Sequence, residues 1–192
     1  LQCEKIIHDQ LIDTNATTVI RKSIFESALL GTGIVKGPLN MYKRIHRWED
    51  NGAGREYNPY EKVVPRVEHV SIWDFYPDPA ATAIEGCEYV IERHRMNQQQ
   101  LRGLLLMPHF RSEAIEAAIV NGPNYTDKYF EDTIREDETE AYYNETRYEV
   151  MEYWGVIDAT MASAVGVDPD DIPDDLTQVQ VNAWICGNEV LR

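Results

Sequence analysis

An α+β fold is the expectation from the sequence: a long N-terminal helix packed on mixed or antiparallel sheets, with short helices between strands. Three observations lead there. Apolar residues recur at helical spacing from Glu4 to Leu30. Four later stretches, Val67–Tyr76, Glu88–Arg95, Tyr148–Ile157 and Gln178–Cys186, are dense in β-branched and aromatic residues or alternate apolar with polar, as strands do. Helix-start residues at Asn97 and Ser112 follow the second of these strands.

The N-terminal stripe consists of Ile12, Ala16, Val19, Ile20, Ser23, Ser27 and Leu30, widened by Ile24 and Ala28. Thr14 to Thr18 is its weak stretch, where a helix breaks or begins afresh most readily. A continuous helix would be about 40 Å long at the usual rise per residue. Gly31-Thr32-Gly33 stops it. Ile34 to Asp50 reads as extended, with Pro38 interrupting it or placing it at a sheet edge. Asn51-Gly52 is a hairpin turn signal that Ala53-Gly54 lengthens, and Arg55 to Val64 returns antiparallel.

The stretch from Val67 to Leu104 organises the rest. Val67, Val70, Ile72, Trp73, Phe75 and Tyr76 read as one strand, ended by Asp78-Pro79 because proline cannot donate to a ladder. A small-residue crossover, Ala80 to Gly86, leads to the strand Glu88–Arg95. Asn97 then caps a helix, with Gln100 in the reciprocal position of a capping box. Together these form a βαβ-like or β-turn-β-α unit. Pro108 closes that helix, and Ser112 is expected to cap the next, with Glu113 and Glu116 near its positive end. Ala114, Ile115, Ala118 and Ile119 give it an apolar side, and Asn121-Gly122-Pro123 ends it.

Tyr125 to Arg147 has helical charge spacings, Lys128–Asp132 and Glu131–Arg135, within a crowd of acids. A solvated helix and a mobile loop fit it equally. Val150, Trp154 and Val156 share one parity of the following strand. Asp168 to Asp175 is a Pro/Asp loop, and Val179, Val181, Ala183 and Ile185 alternate with polar partners before the Gly187-Asn188 turn.

A chain of 192 residues can bury a core as one domain or two small ones. Its apolar runs, such as Ala28–Leu30 and Leu104–Met107, are far too short to span a bilayer as a helix, and no membrane partner is expected. The start, LQCEKIIHDQ, mixes charges into its apolar positions, unlike a signal peptide. The absence of an initial Met and an end inside a strand-like pattern lead to the expectation of a piece excised from a longer polypeptide. Cys3, Cys87 and Cys186 form no CxxC, which argues against a zinc ribbon or a thioredoxin-like site. Reduced thiols are the plain reading, a Cys87–Cys186 disulfide the alternative.

The net charge of −15 is uneven. Residues 1–111 hold 14 basic and 14 acidic residues; residues 112–192 hold 4 and 19. The chain therefore divides into a charge-neutral part, 1–111, and an acidic part, 112–192. Nucleic-acid affinity comes mostly from cations that displace counterions from phosphates, so the acidic part argues against sequence-specific DNA binding. An acidic wall past which DNA slides without sticking is compatible with it.

Gly31-Thr32-Gly33-Ile34-Val35-Lys36-Gly37 has the composition of a phosphate-binding loop but the wrong order, helix then glycines then strand. Lys36, Lys43, Arg44, His46 and Arg47, beside Tyr42 and Trp48, form the one basic cluster. Lys43, Arg44 and Arg47 are candidates for contact with a DNA backbone or an acidic neighbouring subunit. The plainer reading is a solvated hairpin balanced by Glu49, Asp50, Glu56 and Glu61. Asp168, Asp170, Asp171, Asp174 and Asp175 lack the glycine and terminal Glu of an EF-hand loop. His8, His46, His69, His94 and His109 show no HxH or HExxH spacing, and His94, between Arg93 and Arg95, reads as a surface or packed residue. Trp73, Trp154 and Trp184 read as core or interface anchors on strands. No catalytic constellation, cofactor site or metal site is expected, and the chain is not expected to be an enzyme.

The order VSIWDFYPDPAAT…GCEYVIERHRMNQQQLRGL, with SALLGTGIVKG upstream and YEVMEYWG…VQVNAWICGNEVLR downstream, resembles the portal (head-to-tail connector) proteins of short-tailed bacteriophages. In those, a V-x-x-x-D-F-x-x-D-P strand and turn precedes an a-Y-V-I-x-R strand and a short helix. The resemblance covers most of the chain. It implies one continuous wing-like domain of a subunit that assembles with copies of itself into a ring, usually dodecameric, at one capsid vertex of the virion. Such a protein is made in the host bacterial cytoplasm. The ring passes double-stranded DNA without sequence specificity, contacts capsid and tail or adaptor proteins, and docks the packaging terminase through parts beyond Arg192. Two other readings stand beside it: an acidic adaptor or scaffold domain that binds a basic protein, and a metal-dependent hydrolase using the Asp-rich loop. In a ring, the neutral part of one subunit would meet the acidic part of the next in a head-to-tail contact.

Overall fold

The computed structural model describes residues 2–50, 52, 54–126, 146–165 and 177–192. The chain forms two compact units, Leu1–Trp73 and Asp74–Arg192. The first holds 10 basic and 9 acidic residues, the second 8 and 24, so the second carries the whole imbalance of charge. The sequence change at residue 111 falls inside this second unit.

The expected fold, a long N-terminal helix packed on mixed or antiparallel sheets, is overturned at the helix: no long N-terminal helix is seen among the described residues, and α+β holds only loosely. The described residues are mainly sheet, every strand pairing is antiparallel, and the helices are short. In place of one long helix stand α1 (Gln2–Asp13) and α2 (Ala16–Leu30). Asn15 separates them in the left-handed region, φ 54° and ψ 31°, a conformation that Asn tolerates better than other side-chain-bearing residues. Thr14 Oγ1 donates to the Leu11 carbonyl at 3.2 Å, and Thr18 Oγ1 to Asn15 Oδ1 at 2.7 Å. These local bonds give the backbone an alternative to continuing the helix. At the other end of α2, Gly31 takes φ 84° and its N–H reaches the Ser27 carbonyl at 2.9 Å, closing the helix in the left-handed manner.

A long hairpin follows. β1 (Ile34–Ile45) pairs with β4 (Tyr60–Val70), and β2 (Trp48–Asp50) with β3 (Arg55–Tyr57). The register shifts between Lys36 and Leu39, around Pro38, which has no N–H for the ladder. At the base of the hairpin, Glu26 of α2 gathers three donors from the end of β4 and beyond. His69 Nε2 lies 2.9 Å from Oε2, and the Ser71 hydroxyl and Ile72 N–H reach Oε1 at 3.2 and 3.3 Å. This explains why the expected continuous strand Val67–Tyr76 does not form. Beyond Val70 the Ser71 hydroxyl and the Ile72 N–H turn to Glu26, a short 3-10 turn takes Ile72–Asp74, and Trp73 is on that turn rather than on a strand.

The second unit is built on a five-stranded sheet in the order β5 (Phe75–Pro77), β6 (Tyr89–Met96), β7 (Tyr148–Asp158), β8 (Gln178–Cys186), β9 (Glu189–Val190). β5 and β6 are antiparallel, so the organising stretch is strand, loop, strand, helix and not a βαβ unit. Asp78 holds that loop: Oδ1 accepts from Ala80 N–H at 2.8 Å and Oδ2 from Glu88 N–H at 3.4 Å. The capping box is present, with Gln100 N–H on Asn97 Oδ1 at 2.7 Å and Asn97 N–H on Gln100 Oε1 at 2.9 Å. It starts α3 (Gln98–Gly103). Ser112 is not the cap of α4 (Ser112–Asn121) but its first residue; Arg111 is the cap, and its N–H is fixed by the Leu191 carbonyl at 2.8 Å. The apolar sides of α3 and α4 cover one end of the sheet, where Leu101, Leu104, Ile115 and Ala118 meet Tyr148, Val150, Cys186 and Leu191. Burial of Leu or Ile at such sites is worth about 2–5 kcal/mol against Ala.

Cys87 and Cys186 are both free, which removes the disulfide alternative. Burial pushes the Cys186 thiol above its ordinary range. The acidic stretch between 127 and 145, and the Asp-rich loop over 168–175, lie outside the described residues.

Gly33, just before β1, lies tightly against α2: a Cβ there would lie 2.1 Å from the Ser23 carbonyl oxygen. Gly33→Ala is therefore expected to lower stability by about 1–3 kcal/mol, the usual cost of forcing atoms into a packed contact. Urea unfolding of the variant checks this.

Candidate functional site

Antiparallel pairing makes directly opposed residues share a face of the sheet. Across β6, β7 and β8, the register sets Glu92 opposite Glu152 and Glu152 opposite Trp184; one step along, His94 is opposite Val150 and Val150 opposite Cys186. One face thus runs from the apolar core at Val150 and Cys186 into a polar patch of Glu92, His94, Glu152 and Asn182. Glu92 is 9% exposed and Glu152 3%. Like charges placed directly opposite on a strand pair repel, and burial strengthens the repulsion. Their placement calls for positive charge or strong donors between them.

His94 supplies this. Its Nε2 lies 2.8 Å from Glu152 Oε2, and its Nδ1 3.7 Å from Glu92 Oε1. The imidazole stacks on the Trp184 indole with ring centres 4.9 Å apart and planes 2° from parallel. Phe110 meets the same indole edge-on. Asn182 Nδ2 donates to Glu152 Oε1 at 3.1 Å, while Trp184 Nε1 donates to Asn182 Oδ1 at 3.1 Å. One oxygen of Glu152 is thereby held by the amide, and the other faces His94.

The opposite face of the same strands holds a cation. Arg93 is 3% exposed; its Nε is 2.8 Å from Asp74 Oδ1, and its Nη1 is 3.7 Å from Glu149 Oε1. The guanidinium also lies over the Tyr125 ring, 5.2 Å from its centre, with Arg95 at 5.4 Å. Farther along this face, Tyr89 and Tyr153 stack at 5.9 Å. Burial, then the neighbouring Tyr89 and Glu88, raises the Tyr153 hydroxyl above its ordinary range.

The basic cluster of the first unit is arranged differently. Arg44 Nη2 pairs with Glu61 Oε1 at 3.2 Å, and Arg47 Nε with Glu49 Oε1 at 3.2 Å, all four side chains being well exposed. The backbone of Lys43 is opposite Lys62 on β4. His46 is bonded to Tyr57, whose ring also meets Trp48 at 5.1 Å. The strand is broken after Ile45, so alternation does not carry from Arg44 through to Arg47. The five cluster residues lie on the hairpin, and none belongs to the Glu92–His94–Glu152 group.

From the sequence alone His94 reads as a surface or packed residue, and nothing there singles out one carboxylate pair. Alternation along Glu88–Arg95 already places Glu92 and His94 on one face. What the sequence does not carry is the register that brings Glu152 to them from 58 residues away. Chemically, two carboxylates and an imidazole offer proton exchange across a hydrogen bond or oxygen and nitrogen ligands for a cation.

Asp74→Ala leaves a buried guanidinium without its closest carboxylate. It is expected to destabilise the protein by about 3 kcal/mol, as breaking a buried pair does. Chemical denaturation followed by tryptophan fluorescence measures it. No protein-family profile and no curated protein sequence matches this chain, which leaves the geometry of the site as the guide to its chemistry.

Proposed function

We propose that this chain is a structural part of a phage portal ring, through which DNA is packaged and ejected, and that its surfaces fit copies of itself. The single observation that best supports the reading is the apolar surface left open on the first unit. On α1, Ile7, Leu11 and Ile12 are exposed; on α2, Ile20, Ile24, Phe25 and Leu29 are, with Ile24 at 64% and Phe25 at 66%. Trp48, Tyr57, Tyr60 and Val63 add exposed apolar surface along the hairpin. Scattered surface apolar residues are ordinary, whereas grouped ones mark a protein interface. A closed ring gives each subunit a neighbour on two sides, and a head-to-tail contact covers such a surface in every copy.

The charge division supports the same occupant. A near-neutral first unit meeting the acidic second unit of a neighbour avoids like-charge contact, and the hairpin carries Arg44 and Arg47 there. Their present partners, Glu61 and Glu49, are exposed pairs of the kind worth about 0–1 kcal/mol, so exchanging them for acids of another subunit costs little. Pairing of this sort steers register and assembly rate more than it adds affinity. The ordered resemblance to short-tailed phage portals points to the virion's portal vertex as the location, with capsid and tail proteins and passing DNA as further partners. The chemistry of bond-making belongs to none of these roles.

The acid excess of the second unit also favours a second reading, an adaptor that captures a basic protein without forming a ring. Negative-stain images of the full-length protein separate the two. Rings with a central hole are expected, with a yield that falls as salt screens the contacts. Combined Lys43→Glu, Arg44→Glu and Arg47→Glu substitutions are expected to reduce the yield further. Absence of rings, or rings indifferent to both salt and charge reversal, contradicts the proposal.

A further inference from the structure

We infer that Glu92, His94 and Glu152 form a binding site for one divalent first-row transition-metal ion, of the zinc or manganese class. The inference goes beyond the portal reading and holds whether or not the chain belongs to a ring. It rests on donor chemistry and placement. The ligand atoms of the three side chains lie within 4.8 Å of one another. Two come from adjacent positions on one face of β6 and the third from the directly paired position on β7, so the hydrogen-bonded ladder fixes their spacing.

The donor set selects the ion. Carboxylates alone suit calcium and magnesium, and thiolates suit soft ions; an imidazole added to two carboxylates favours zinc or manganese. Zinc takes oxygen and nitrogen ligands at about 2.0–2.2 Å. Ligand atoms around such an ion therefore stand roughly 3–4 Å apart, and one ligand atom from each of the three side chains already lies within 4.8 Å of the others. One ring nitrogen of His94 binds the ion; in the structure Nε2 faces Glu152 and Nδ1 faces Glu92. The ion replaces the proton that now lies between His94 and Glu152, and its two positive charges answer two buried carboxylates facing each other across the ladder.

Residues behind the ligands are placed as supporting groups at metal sites are. Asn182 holds Glu152 Oε1 while Oε2 faces His94, and Trp184 in turn orients Asn182. The stack of His94 on Trp184 fixes the plane of the imidazole. Glu92 and His94 keep partial solvent access, which gives an ion a way in.

Titration calorimetry of the 192-residue chain, stripped with a chelator, tests this with Zn2+ and Mn2+ as probes and Ca2+ and Mg2+ beside them. Saturable uptake of one Zn2+ or Mn2+ per chain is expected, with a rise in Tm and weaker uptake of Ca2+ and Mg2+. Glu152→Gln and His94→Gln are expected to abolish it, and Asn182→Ala to weaken it by about 10–100-fold. Glu149→Gln, on the opposite face, is expected to leave it unchanged. Circular dichroism establishes that each variant is folded, and Glu92→Gln replaces Glu152→Gln should the latter unfold. No saturable uptake by the wild type overturns the inference; so does uptake that survives the Glu and His94 substitutions, because the ion then lies elsewhere.

Discussion

The β6–β7 ladder is the constraint on which the second unit depends. Its register places Glu92 against Glu152 on one face and Arg93 near Glu149 and Asp74 on the other. Buried charge of both signs is therefore held within a few residues of two adjacent strands. A slip of one residue would exchange the faces, putting Arg93 toward the apolar core of Val150 and Cys186. Buried ionic groups give little net stability, yet they penalise every alternative pairing that leaves them without partners. The hydrophobic end of the sheet supplies the stability; the charged middle makes one register the only acceptable one.

Much of this architecture was legible in the sequence, because strands and caps are local. Alternation from Gln178 to Cys186 gives β8 with both its ends, and the Asn97/Gln100 pair gives the start of α3. The long helix does not form because the weak stretch Thr14–Thr18 breaks an apolar stripe that is continuous in the sequence on both sides of it. In the folded chain Asn15 goes left-handed and the stripe belongs to two helices. The single strand Val67–Tyr76 failed for a non-local reason: Glu26, more than forty residues earlier, captures Ser71 and Ile72. The start of α4 was misplaced by one residue for the same kind of reason, since its cap is fixed by a carbonyl near the C-terminus. The Glu92–His94–Glu152 group was legible only by half, as two residues of one strand, because strand register is not written in either strand alone.

The two units differ in how they handle apolar surface and charge. The first leaves large apolar side chains in the open and balances its charges by exposed pairs that are readily exchanged. Such a surface is suited to being covered by protein, and in the portal reading a neighbouring copy covers it. The second unit gathers the acids of the chain and keeps its few buried ones in fixed geometry. The proposed assembly surface and the proposed ion site draw on separate residues, so a test of one leaves the other standing.

The most direct test of the central claim is a double-mutant cycle on Glu92→Gln and Glu152→Gln, with unfolding free energies measured in the presence of chelator. If the register holds the two carboxylates face to face, their effects are coupled, with an interaction energy of about 0.5–3 kcal/mol. Strict additivity of the two substitutions would mean that these side chains do not meet across the ladder, and would contradict the account.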